Sequence, residues 1–66
     1  EMATFRGRDG RYINEETLQR MEYIVRLDRA EAEKHYGAGD LARSNAVYQR
    51  VNDLCDEISY ARKHEA

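Results

Sequence analysis

The sequence predicts a mainly α-helical fold, a two-helix antiparallel hairpin with a short N-terminal arm, dimerising into a four-helix arrangement. Three observations carry that expectation. Proline is absent from all 66 residues, glycine falls only at positions 7, 10, 37 and 39, and apolar residues recur at helical spacing through both of the long stretches that remain. The chain divides into a basic arm, residues 1–13, and a helical hairpin, residues 14–66, with helices over about 15–36 and 40–63.

The arm comes first. Asp9-Gly10 is a two-residue turn signal flanked by Thr4-Phe5-Arg6 and Arg11-Tyr12-Ile13, so the arm reads as a small β-hairpin. An isolated two-stranded hairpin is marginal in water, and Phe5, Tyr12 and Ile13 are therefore expected to pack on the helices or on a second subunit. Met2-Ala3 reads as a natural start, which makes Glu1 an extra residue and implies that the gene encodes little beyond this domain.

The first helix opens at Asn14, an N-cap followed by Glu15 and Glu16 in the first turn, with Ile13 placed to staple against Leu18. Gly37 is its expected end. Gly37-Ala38-Gly39 then reverses the chain, and Asp40 caps the second helix. A connection this short forces the helices antiparallel.

On the second helix Val47, Val51, Leu54, Ile58 and Ala61 form one stripe in a four-three pattern, flanked by Tyr48 and Cys55. The matching face of the first helix is Leu18, Met21, Val25 and Ala32, with Ile24 beside it and Tyr36 at its end. Leu18, Met21, Val25, Val47, Val51, Leu54 and Ile58 are thus the expected core and dimer residues. A further strip on the first helix, Tyr23, Leu27 and Ala30, lies well round from that face, with a weaker counterpart in Ala42, Ala46 and Tyr60. A lone hairpin covers one face of each helix, so these strips call for another surface, and self-association is the simplest cover.

Size points the same way, because a domain this short buries only about 60% of the surface of its unfolded chain. Hydrophobic residues are 41% and charged residues 36% of the chain, a composition that folds rather than one that stays disordered. The single cysteine closes no intrachain disulfide, and no apolar run is long enough for a signal peptide or a membrane span. A reducing cytoplasm is the expected compartment, with no membrane partner. The net charge of −2 argues against a general polyanion binder, but it is unevenly spread: the arm holds three arginines against two acids, net +1, and the rest holds 8 basic against 11 acidic residues, net −3.

Arg6, Arg8 and Arg11 beside Phe5 and Tyr12 support three readings: solvated edge-strand charge, contact with an acidic protein surface, and phosphate contact with an aromatic stacked on a base. Asp28 and His35 stand seven residues apart on the core face of the first helix, where they either set register, sit at the rim, or make association pH-sensitive. Neither has a nucleophile with a spaced base, so no catalytic residue is expected. Cys55, His35 and His64 lack the paired spacing that holds zinc, and the chain has no phosphate loop, dinucleotide fingerprint or nucleophile elbow. No metal and no cofactor are expected.

Tyr36, Gly39, Asp40, Ser44, Tyr48 and Val51 resemble the middle of a tetratricopeptide repeat, with Ser44 in place of the usual alanine, a Tyr36 to Gly39 spacing one residue short, and one unit where about three are needed. That resemblance implies protein binding. In length and layout the chain also resembles Rop-type plasmid hairpins, which dimerise into four-helix bundles and bind paired RNA hairpins, and in size and organisation it is similar to small bacteriophage-encoded inhibitors of the anti-quorum-sensing kind, which sequester a host transcription regulator. The phage-inhibitor likeness implies a non-enzymatic homodimer that binds and blocks a host protein, and the Rop likeness implies the alternative, a small nucleic-acid-binding regulator. Aromatic side chains with neighbouring arginines are the composition of interface anchors, which makes Phe5, Arg6, Arg8, Arg11, Tyr12, Tyr23, Leu27 and Tyr60 the expected partner-binding residues.

Overall fold

The computed structural model describes residues 3–66, and the expected start at Met2 lies outside them. Two short strands, β1 (Thr4–Arg6) and β2 (Tyr12–Asn14), precede two long helices, α1 (Glu15–Gly37) and α2 (Leu41–Arg62). The helices lie side by side as an antiparallel hairpin, and the strands pack across one end of it. The molecule is a rod of 45 × 20 × 14 Å with a radius of gyration of 13.9 Å, against about 11 Å for a compact chain of this length. Its accessible surface of 4986 Å² likewise exceeds the roughly 4,400 Å² of a globular protein of this mass.

The strands pair antiparallel, Thr4 with Asn14, Phe5 with Ile13 and Arg6 with Tyr12. The expected two-residue turn at Asp9-Gly10 is instead a three-residue loop. Gly10 N–H donates to the Gly7 carbonyl at 3.0 Å and Gly7 N–H to the Arg11 carbonyl at 2.8 Å, a type I turn closed by one left-handed residue. That residue is Gly10, at φ 86°, while Asp9 remains at negative φ and accepts from Arg11 N–H at 3.0 Å. A two-residue type I′ turn would have needed positive φ at both.

A third segment joins the sheet. Arg6 N–H donates to the His64 carbonyl at 3.0 Å and Ala66 N–H to the Thr4 carbonyl at 2.7 Å, so β1 is flanked by β2 on one side and by the segment following α2 on the other. Phe5 sits at the centre of this layer and is 4% exposed, packed into the cluster of Leu18, Val25, Val51, Ile58 and Ala61. Its expected place among partner contacts is therefore corrected: flanked by backbone on both edges, β1 turns its one large apolar side chain onto the helices.

Asn14 caps α1, its side chain accepting from Thr17 N–H at 2.8 Å. The helix runs to Gly37 as expected, but the left-handed residue that closes it is Gly39. Gly37 is helical, Gly39 takes φ 81°, and the bonds from Gly39 N–H to Tyr36 (3.0 Å) and from Asp40 N–H to His35 (2.9 Å) make a Schellman closure. Asp40 then accepts from Arg43 N–H at 3.1 Å and starts α2.

Between the helices, Leu18, Val25 and Ala32 face Val47, Val51, Ile58 and Ala61, and all are buried. Met21, Leu54 and Cys55 flank them, partly buried. Near the loop the helices approach through small residues, and the buried Ser44 Oγ donates to the Ala32 carbonyl at 2.9 Å. With Ser44 opposite Ala32, Tyr36 stands level with the cap residue Asp40, past the first helical residue of α2, Leu41. Tyr36, expected at the end of the core face, is exposed for that reason. Ile24, expected beside the core, faces outward with Tyr23 and Leu27. Asp28 and His35 sit half-buried at the rim of the helix seam, His35 against Glu31 at 3.3 Å.

Candidate functional site

An antiparallel hairpin places the start of α1 beside the end of α2, and here that junction carries the arm. Arg62, in the last turn of α2, reaches across to α1 and donates to both carboxylate oxygens of Glu15, at 2.6 and 2.7 Å, and to Glu22 at 3.2 Å. Its guanidinium carbon also stands 5.4 Å from the centroid of the Phe5 ring. One side chain thus ties together both helices and β1. A bidentate arginine–carboxylate pair is the strong form of such contacts. Its hydrogen bonds to Arg62 lower the Glu15 carboxyl below the ordinary glutamate value, against the opposing effect of desolvation. Those to Glu15 raise the Arg62 guanidinium further.

On this fixed base the three arm arginines separate. Arg6 donates to the Tyr12 hydroxyl at 2.7 Å and lies 4.9 Å from its ring centroid, so it is held by its neighbour across the strands. Arg11 stands 3.6 Å from Asp9 with 87% of its side chain exposed, a pair worth little. Arg8, at the exposed tip of the loop, makes no ion pair among the described residues. It instead borders a groove together with Asp56, Ser59, Tyr60, Lys63 and His64.

An aromatic stack lines that groove. The Tyr60 and His64 rings stack at 3.9 Å between centroids with a 14° interplanar angle, and His64 Nδ1 lies 2.6 Å from the Tyr60 carbonyl. With the His64 carbonyl already accepting from Arg6 N–H, the stack is fixed to the sheet. The groove thus brings two cations, Arg8 and Lys63, one carboxylate, Asp56, and the aromatic pair onto one surface.

Of the residues the sequence singles out, Arg6, Arg8, Arg11 and Tyr12 gather at the arm end, and Tyr60 joins them from α2. Tyr23 and Leu27 do not. They lie part-way along the outer face of α1 as a separate exposed strip. Phe5 is core. The sequence pattern did not single out Arg62 and Lys63, and it weighed His64 only as a metal ligand, although a basic pair closing α2 opposite Glu15 and Glu16 opening α1 is what an antiparallel hairpin brings together. No family model, curated protein or solved structure matches the chain. Among the described residues no helix is long and apolar enough to cross a membrane.

Proposed function

We propose that the protein is a non-enzymatic interaction module of the cytoplasm whose arm end docks on an acidic surface of another protein and blocks it. The observation that carries this reading is the convergence of Arg8, Lys63 and the Tyr60–His64 stack on one groove. Arginine and tyrosine are the side chains that anchor interfaces, because they supply area and directed hydrogen bonds at little ordering cost. The arm is also preorganised, since paired β1 and the Arg62 cluster hold it before any partner arrives, and the ordering cost of binding falls accordingly. A phage-type inhibitor of a host transcription regulator is the form of this function that the sequence likeness implies.

The charge distribution favours a protein partner over nucleic acid. The helical body carries net −3, which repels a phosphate backbone beyond the immediate arm.

The test is affinity capture from a bacterial lysate with tagged protein, with and without nuclease and at low and high salt, read by mass spectrometry, beside an Arg8→Glu bait. The expected result is a stoichiometric protein that survives nuclease and is absent from the Arg8→Glu lane. Replacing Arg8 with alanine should weaken binding of that protein by about 2 kcal/mol, about 30-fold. Recovery of nucleic acid alone, lost steeply with salt, would sink the proposal and promote the nucleic-acid regulator.

A further inference from the structure

The outer face of α1 carries an apolar strip that no other described residue covers. Tyr23, Ile24 and Leu27 are 54%, 45% and 53% exposed, and Ala30 is exposed beside them. At about 100° per residue Tyr23, Leu27 and Ala30 share a sector opposite Leu18, Val25 and Ala32, with Ile24 at its edge. Four charges lie on the same sector in a fixed order: Glu16 and Arg20 precede the strip, and Glu31 and Lys34 follow it. Their signs run minus, plus, minus, plus.

This order is its own complement when reversed. Residues 16 and 34 are equidistant from the level of residue 25, as are 23 and 27, and 20 and 31 match to within one residue. We propose that α1 pairs antiparallel with α1 of a second copy about a two-fold axis at the level of residue 25. Tyr23 then packs on the partner's Leu27 and Leu27 on the partner's Tyr23, flanked by Arg20 with the partner's Glu31 and Glu16 with the partner's Lys34. A parallel pair would set each of the four charges against its own copy, so the charge order excludes it. The existing contacts Arg20–Glu16 at 2.8 Å and His35–Glu31 at 3.3 Å are surface pairs on one helix, weak enough to be shared across an interface.

The extent of the contact sets the strength. The register overlaps nearly the whole 23-residue length of α1, about 30 Å at 1.5 Å per residue. Two helices meeting over that length bury on the order of 1,000 Å², the lower edge of specific interfaces. The dimer is therefore concentration-dependent, and its four helices form two hairpins joined back to back through α1. Both arm ends stay free.

Sedimentation velocity of the full chain from micromolar to millimolar concentration tests this, with circular dichroism of every variant as the folding control. The expected results are a reversible monomer–dimer equilibrium for the native chain and a monomer for Leu27→Glu. Arg20→Glu and Glu31→Arg should each raise the dimer dissociation constant about tenfold, and the double variant R20E/E31R should return it to within about threefold of the native value. A native chain that stays monomeric at millimolar concentration would overturn the proposal. So would a dimer that tolerates Leu27→Glu, or single charge reversals that the double reversal does not rescue. None of these outcomes depends on the arm-end partner.

Discussion

Replacing Phe5 tests whether the arm is part of the fold or an appendage to it. The Phe5 side chain is 4% exposed and lies in one cluster with Leu18 and Val25 of α1 and Val51, Ile58 and Ala61 of α2. Truncating a buried phenylalanine to alanine costs about 3–5 kcal/mol, transfer and cavity together. A 66-residue chain at about 0.05–0.15 kcal/mol per residue holds only about 3–10 kcal/mol in all, so Phe5→Ala should remove a third of the stability or more. Phe5→Leu keeps most of the volume and should cost less than about 1.5 kcal/mol, a fall of roughly 4–8 °C in Tm for each kcal/mol. Urea denaturation followed by far-ultraviolet circular dichroism measures both at a fixed, low protein concentration. Amide exchange at Arg6 and Ala66, the two donors that tie β1 to the segment after α2, should accelerate in parallel. If Phe5→Ala lost less than about 1 kcal/mol while those amides stayed protected, the arm would not be coupled to the hairpin core, and the preorganised groove would have no support.

The two glycines of the interhelical turn should respond with opposite signs. Gly37 is helical, and a methyl group on its Cα would meet only open space, so Gly37→Ala should stabilise the chain by about 0.4–1 kcal/mol, whereas Gly39→Ala at φ 81° should cost about 1–2 kcal/mol; urea midpoints read both. Glu15 sets an acid limit. Its carboxyl is lowered in the folded state by Arg62, so its contribution is fully present above the unfolded value of about 4.3 and is lost as pH falls through the lower folded value. The stability gap between the native chain and Glu15→Gln should accordingly be constant near neutrality and close as the pH drops below about 4. A gap that persisted there would mean that the Glu15–Arg62 pair is not what the substitution removes.

The helices were legible because their signals are local and periodic. Asn14 capping Thr17, Asp40 capping Arg43 and the Val47, Val51, Ile58, Ala61 stripe are all patterns within a few residues of one another, and the structure forms each of them. The position of the turn was less so, because Gly37 and Gly39 are equally able to be left-handed and the choice rests on which closes the carbonyls of Tyr36 and His35. The same limit applies to the arm loop, where the letters Asp9-Gly10 fit a two-residue turn but a three-residue loop satisfies Gly7 at both ends. Pairing of the His64–Ala66 segment with β1 is carried by backbone groups, which leave no mark on side-chain sequence. At the arm end, Arg6, Arg8, Arg11 and Tyr12 stood out by composition, but Lys63 and His64 became part of the same surface only once the far end of α2 was folded back beside them.

The two exposed surfaces differ in how they are supported, and that difference divides their roles. The arm-end groove is held by long-range contacts: β1 between two neighbours, Phe5 in the core, and Arg62 bridging Glu15 and Glu22. The backbone that carries Arg8 and Lys63 is therefore held in place whether or not anything is bound, which suits recognition of a partner with a matching charge pattern. The outer strip of α1 needs no such support, since a single helix fixes the order of Glu16, Arg20, Tyr23, Leu27, Glu31 and Lys34, and a surface specified by one helix is most simply complemented by the same helix reversed. If both proposals hold, dimerisation through α1 doubles the arm-end sites without altering either of them. A divalent partner would then bind the dimer more tightly than the monomeric Leu27→Glu variant through effective concentration alone, while a monovalent partner would bind both equally.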